Sequence, residues 1–224
     1  MGSNASPDET PHPIYLSAFR IDRYEVTQEK FEKVMADNPS DFSGAHRPVE
    51  RVTWYEARDY CKQLGKRLPT EAEWEKAARG PKGNIFPWGN NFNWDAANIS
   101  HSSKKRAGHQ LKPVGSFPEG ASPYGVHDMI GNAWEWVWDY YLPYPNSEYE
   151  SKDFGKKYVV VRGLSYLGVG HFPKKSYKKV VALKARASYR ERLNPFVRKK
   201  DVGFRCAKDK PPLFKKATEK KREI

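Results

Sequence analysis

The sequence predicts an α+β fold with little regular secondary structure, and three observations predict it. Two threonines are each followed three residues later by a glutamate, Thr53 by Glu56 and Thr70 by Glu73. That spacing is the reciprocal capping box that opens a helix. Residues 81–157 lose all periodicity and run through Gly, Pro, Asn and aromatic residues, as in NIFPWGNNFNW. Short apolar runs such as YVVVRG and GFRCA read as strands. At 224 residues the chain fits one domain.

In chain order, PIYLSAFRIDRYEVT alternates bulky with small or polar residues and predicts a strand through Tyr15, Ala18, Ile21 and Tyr24. Thr27 caps the helix that follows, with Phe31, Val34 and Met35 on one face and the proline of DNPSD at its end. The Thr53 helix carries Ala57, Tyr60, Cys61 and Leu64 on one stripe and stops at Gly65. The Thr70 helix turns Trp74, Ala77 and Ala78 inward and stops at Gly80. An irregular stretch as long as 81–157 needs something to hold it: bound ions, buried aromatics or a disulfide. Strands return at YVVVRG, VALKARAS and GFRCA, and GVGHFPKKSYKK between them reads as a loop. No tandem repeat is present, and residues 210–224 form a basic tail of low complexity.

Seven Trp, thirteen Tyr and eleven Phe supply enough bulk for a folded core. Trp134, Trp136 and Trp138 alternate as on a strand and read as core indoles rather than a binding stripe. No apolar run approaches the ~20 residues that span a bilayer, and residues 1–20 carry no export signal pattern. The formal charge of +13 is concentrated in HFPKKSYKK and the tail. It reads first as solvated surface and next as a face for an acidic partner. No recognition helix or stacking motif points to nucleic acid. His12, His46, His101, His109, His127 and His171 show no metal-ligand spacing. The sequons at 4–6 and 98–100 have meaning only in a secreted eukaryotic protein.

RYEVT, RLPTEAEWEKAARG, PWGN, PVGSFP, YGVHDMIGNAWEWVWDYY, RGLSY and VGFRCA follow one another in this chain. In order and spacing they resemble the formylglycine-generating enzyme, or sulfatase-modifying factor, family over roughly residues 1–209. The resemblance implies a variant of the C-type lectin fold with small antiparallel sheets. MGSN resembles the family's first strand, so the domain is expected to begin upstream of Met1.

The family's enzymes oxidise a substrate cysteine to formylglycine with oxygen and Cu(I) held by two thiolates. Those cysteines follow an arginine-glycine-glycine-serine motif, here Arg162-Gly163-Leu164-Ser165, and their positions fall on Gly168 and Pro173. Neither offers a soft ligand, so no copper is expected. Ser165 and Trp134 match positions that line the family's pocket, and Tyr166 and His171 join them as candidates, with no orienting carboxylate evident nearby. By resemblance, Cys61 and Cys206 match a structural disulfide; two buried thiols are the alternative. Asp128, Gly131, Ala133 and Glu135 match a Ca2+ site of carboxylates and carbonyls, which irregular backbone suits. The other reading has Asp128 capping a turn and Glu135 paired with an arginine. Asn98 and Ile99 open a second, weaker match that lacks its later acid.

The sequence therefore predicts a binding or accessory module without formylglycine chemistry, its partner a protein or an acidic ligand. The alternatives are an oxygen-dependent oxidase with another metal or partner-supplied ligands, and a structural subunit docked through its tail. An extracytoplasmic location follows if Cys61 and Cys206 are joined.

Overall fold

The computed structural model describes residues 1–101, 110–169 and 172–210. The basic tail from Pro211 onward and His171 lie outside the described residues.

Strand β1 (Phe19–Ile21) is followed by helices α1 (Gln28–Met35), α2 (Trp54–Gln63) and α3 (Glu71–Arg79). Then come β2 (Trp134–Tyr140), β3 (Val159–Arg162), α4 (Lys174–Lys184), β4 (Arg190–Leu193), β5 (Val202–Phe204) and β6 (Ala207–Asp209). The predicted caps close as expected. Thr53 and Thr70 each accept from the backbone of their third following residue while Glu56 and Glu73 reach back. Thr27 accepts from the backbone N–H of Lys30. Leu64 leaves the expected stripe and is exposed, because α2 ends at Gln63 and the chain turns away at Gly65, φ +63°.

A four-stranded sheet in the order β4-β3-β2-β5 forms the centre, and β1 pairs with β6 beside it. The β1–β6, β2–β3 and β3–β4 pairs are antiparallel, whereas β2 and β5 run parallel, with Trp134 opposite Val202 and Trp136 opposite Phe204. Parallel pairing needs a long crossover, and the chain from β3 through α4 and β4 supplies it. β3 is buried on both faces. Val159 and Val161 pack with α1 and α2, while Val160 packs with α3 and the buried side of α4. That two-sided burial is why YVVVRG reads as an unbroken apolar run.

Four sequence expectations shift. VALKARAS, read as a strand, opens as the C-terminal half of α4, because Tyr177, Val181 and Ala185 recur every four residues on the buried side. GVGHFPKKSYKK, read as a loop, gives its second half to the same helix, with Pro173 at the N-cap. Of the three indoles, Trp136 is fully buried, Trp134 partly, and Trp138 is exposed. β2 breaks register with β3 between Trp136 and Tyr140, and Trp138 bonds to Pro69 O instead. The strand around Tyr15 shortens to β1, leaving Tyr15 exposed. Among the described residues no helix is long and apolar enough to cross a membrane.

Candidate functional site

RLPTEAEWE turns its charges inward as clamps. Glu71 and Glu75 of α3 each take one arm of the fully buried Arg162 guanidinium at 2.8 Å, and Arg190 adds a 3.0 Å bond to Glu71. Trp74 donates to Glu135 at 2.9 Å, and its ring lies 5.3 Å from the Arg162 guanidinium carbon. The opening arginine of RGLS thus fixes β3 to α3, and the turn that follows starts from a rigid post. Breaking such a buried pair by removing one partner costs about 3–5 kcal/mol.

The turn holds two left-handed residues in succession, Gly163 at φ +99° and Leu164 at φ +59°. A Cβ at Gly163 would stand 2.9 Å from Met129 O. Leu164 accepts the left-handed conformation at a cost of about 1–2 kcal/mol and offsets it by full burial. The next residues, Ser165 and Tyr166, are each 1% exposed. Ser165 donates to Asp201 Oδ2 at 2.9 Å, and the backbone N–H of Trp134 donates to Asp201 O at 2.8 Å. Asp201 is therefore the orienting carboxylate absent from the sequence reading, carried in from the turn before β5. Its only sequence signal is its place next to VGFRCA.

Among the described residues the Tyr166 hydroxyl has no hydrogen-bond partner, and its ring packs edge-on to Phe42 with centroids 6.0 Å apart. Burial, then the charges of Asp201, Glu50 and Asp41, push it well above the usual phenol range. An acidic neighbourhood of this kind opposes a phenolate. The Trp134 ring lies 6.3 Å from that of Tyr189, and Asp201 bonds both Trp134 and Ser165. A cleft of about 1400 Å³ lies elsewhere, between residues 11–19 and α3, lined by Ile14, Leu16, Ala72, Lys76 and Tyr124.

Gly168 sits at φ +67°, and a Cβ built on it would lie 2.5 Å from the Tyr177 hydroxyl. Pro173 is exposed and caps α4, its carbonyl accepting from Ser176 and Tyr177. Both cysteines of the chain are consumed by the Cys61–Cys206 disulfide. No thiol is free for a soft metal, and the residues at the resembling positions do not fit Cu(I).

The DMIGNAWE segment brings three buried carboxylates together. Glu135 accepts from Nη2 and Nε of Arg205, at 2.6 and 2.7 Å, and from Trp74. Asp128 accepts from Gly115 N at 2.6 Å. Glu25, which the sequence reading did not single out, accepts from Asn132 Nδ2 at 2.7 Å and Ala133 N at 3.0 Å. Burial, then Asp128 and Glu135, hold Glu25 well above the ordinary carboxylate range. Burial also raises Asp128. Glu135, Glu25 and Asp128 all lie within electrostatic reach of the single guanidinium of Arg205. The Glu135 oxygens are already bonded, and no three His, Cys, Asp or Glu side chains converge as a ligand cluster among the described residues. Asn98 gives its amide to Asn132 Oδ1 and Gln110 O, and with Ile99 it braces the irregular segment.

Known proteins align with this arrangement. The inactive C-alpha-formylglycine-generating enzyme 2 of Bos taurus is 36% identical over 167 residues, 71% of this chain and 50% of that protein. The formylglycine-generating enzyme of Bos taurus is 34% identical over 188 residues, 77% of this chain and 47% of its own. The chain thus spans about half the length of these curated relatives. The solved structure of Treponema denticola variable protein 1 superposes with a TM-score of 0.76 at 26% identity, covering 93% of this chain and 91% of that one. Residues 1–210 match the sulfatase-modifying factor enzyme 1-like domain, and the chain belongs to that family.

Proposed function

We propose that residues 1–209 form a non-catalytic binding or accessory module on the formylglycine-generating scaffold, meeting an acidic protein partner. The observation that carries this reading is the chemistry at the turn: Gly168 and Pro173 stand at the thiolate positions and no other cysteine is free. The relative named an inactive enzyme supports it. The binding face is the outer side of α4, where Lys175, Lys178 and Lys179 are exposed at helical spacing with no acid in the first turn. The Ser165–Asp201 pair favours the second reading, an enzyme of the same superfamily. Against it stands the burial of both residues, and among the described residues no histidine is hydrogen-bonded to Ser165.

Two readouts test the proposal. Incubated with Cu(I), oxygen and a sulfatase-type cysteine peptide, the protein leaves the thiol unconverted in a mass spectrum; aldehyde would overturn the non-catalytic reading. A fluorescent Asp/Glu-rich peptide binds in a salt-dependent manner. Lys175→Glu/Lys178→Glu/Lys179→Glu abolishes that binding. Equal binding by the variant would remove α4 as the face.

The proposal includes Ca2+ at Asp128, Gly131, Ala133 and Glu135, on the gathering of buried carboxyl groups around Arg205, and an extracytoplasmic setting that preserves the disulfide. Calcium in place of EDTA then raises Tm, and Asp128→Asn, which suits the φ of +56° there, loses the shift. An identical Tm in calcium and EDTA would count against the ion.

A further inference from the structure

α4 does more than carry lysines. Its inward face brings Tyr177 to the turn at Gly168, where the hydroxyl donates to Ser100 O at 3.0 Å and the residue is 3% exposed. Val181 and Ala185, one and two turns on, are fully buried in the same apolar cluster. Tyr177 is therefore pinned at both ends, its tip by a hydrogen bond and its base by a packed helix.

The space the Tyr177 hydroxyl fills is the space a side chain at position 168 would need. A Cβ there meets the Tyr177 hydroxyl at 2.5 Å, then Ser100 O at 3.5 Å and Ser100 Cβ at 3.6 Å. Carbon and oxygen do not approach so closely without one of them moving. The ring cannot move away without breaking its bond to Ser100, and the φ of +67° penalises any residue but glycine. Pro173 works in the same direction: it starts the helix that delivers Tyr177, and its carbonyl accepts the Tyr177 N–H at 3.0 Å. One position of the resembling thiolate pair is filled by a side chain from the helix that the other position initiates.

We propose that α4 closes the position of the resembling thiolate pair by packing, with the Tyr177 hydroxyl standing where a side chain at position 168 would project, so that the absence of copper chemistry is built into the fold as well as the sequence. This deepens the non-catalytic reading and rests on it. It also says what the site has become: the anchor that seats a lysine-faced helix on the domain. A residue that once could have faced a metal is replaced by the foot of a docking element.

The proposal predicts coupling between positions 168 and 177. Gly168→Ala lowers Tm in the natural protein, and the drop shrinks in a Tyr177→Phe background, where the clashing oxygen is gone. Both variants keep the core volume nearly unchanged and are expected to fold. Equal drops in the two backgrounds would overturn the proposal, leaving the left-handed φ as the whole cost. A second measurement uses the soft metal itself. Gly168→Cys/Pro173→Cys does not take up one Cu(I) against a chromophoric chelator, whereas the same pair with Tyr177→Ala does. Uptake by the double variant with Tyr177 in place would show the site open and the proposal wrong. Aldehyde formation by the natural protein would defeat the non-catalytic reading while leaving this coupling to be judged by its own cycle.

Discussion

Asp139 shows how a single residue sets a pH response. Its Oδ2 accepts the Glu71 N–H at 2.6 Å, at the positive end of α3, yet burial outweighs that bond and the neighbouring Glu71 charge adds to it. The carboxyl is pushed up to about 6. The folded value lies above the unfolded one near 3.9, so the fold binds the proton more tightly than the unfolded chain. Stability from this group is present below about pH 4 and falls as pH rises through 6, by roughly 3 kcal/mol at most. Asp139→Asn keeps an acceptor for Glu71 and removes the titration. Its Tm should match the natural protein near pH 4 and exceed it at pH 7–8, followed by thermal denaturation across that range. A gap between the two that does not change with pH would refute the assignment. Residues of this kind are silent in the sequence: nothing in WDYY separates Asp139 from any exposed acid, and Glu25 in RYEVT is silent in the same way, because burial is a property of the fold.

Elements were legible where their signals are local. The boxes at Thr53 and Thr70 state both a start and a donor count, and the helices begin where they say. α4 was not legible. It has no side-chain cap, no acid in its first turn, and two adjacent valines that read as strand. Only the recurrence Tyr177, Val181, Ala185 marks it, and that pattern acquires meaning once the core it faces exists. The same holds for β5, whose parallel pairing with β2 is decided by where the crossover lands. The irregular middle offered no pattern to read, since Asn98, Asn132 and Glu25 hold it by bonds between residues as far as 107 apart. The turn was legible in chemistry and not in shape. Missing thiols can be read from Gly168 and Pro173 alone, whereas the Ser165–Asp201 bond and the place of Tyr177 cannot.

At the scale of the whole molecule the disulfide closes what these local devices leave open. Cys61 lies on α2 and Cys206 between β5 and β6, 145 residues apart, so the bridge ties an early helix to the last strands within the apolar cluster that also holds Trp54, Tyr60 and Phe204. A loop of that length corresponds to about 5 kcal/mol of lost unfolded-state freedom. For a domain of this size, 1 kcal/mol moves Tm by about 2–4 °C. Cys61→Ala/Cys206→Ala should therefore lower Tm by roughly 10–20 °C while leaving the fold intact, since Val52, Ala57 and Phe204 still fill the surrounding core. Both cysteines are wholly buried, so a thiol reductant should act on the native protein only as fast as the domain opens, and readily in denaturant. Rapid reduction without loss of structure would place the bridge at an accessible edge and remove it as a global clamp. If the reduced and oxidised chains melted together, the scaffold would stand without the bridge, on its packed core and its inward-turned arginines, among them Arg162 between β3 and α3, Arg190 between β4 and α3, and Arg205 beside Glu135 of β2.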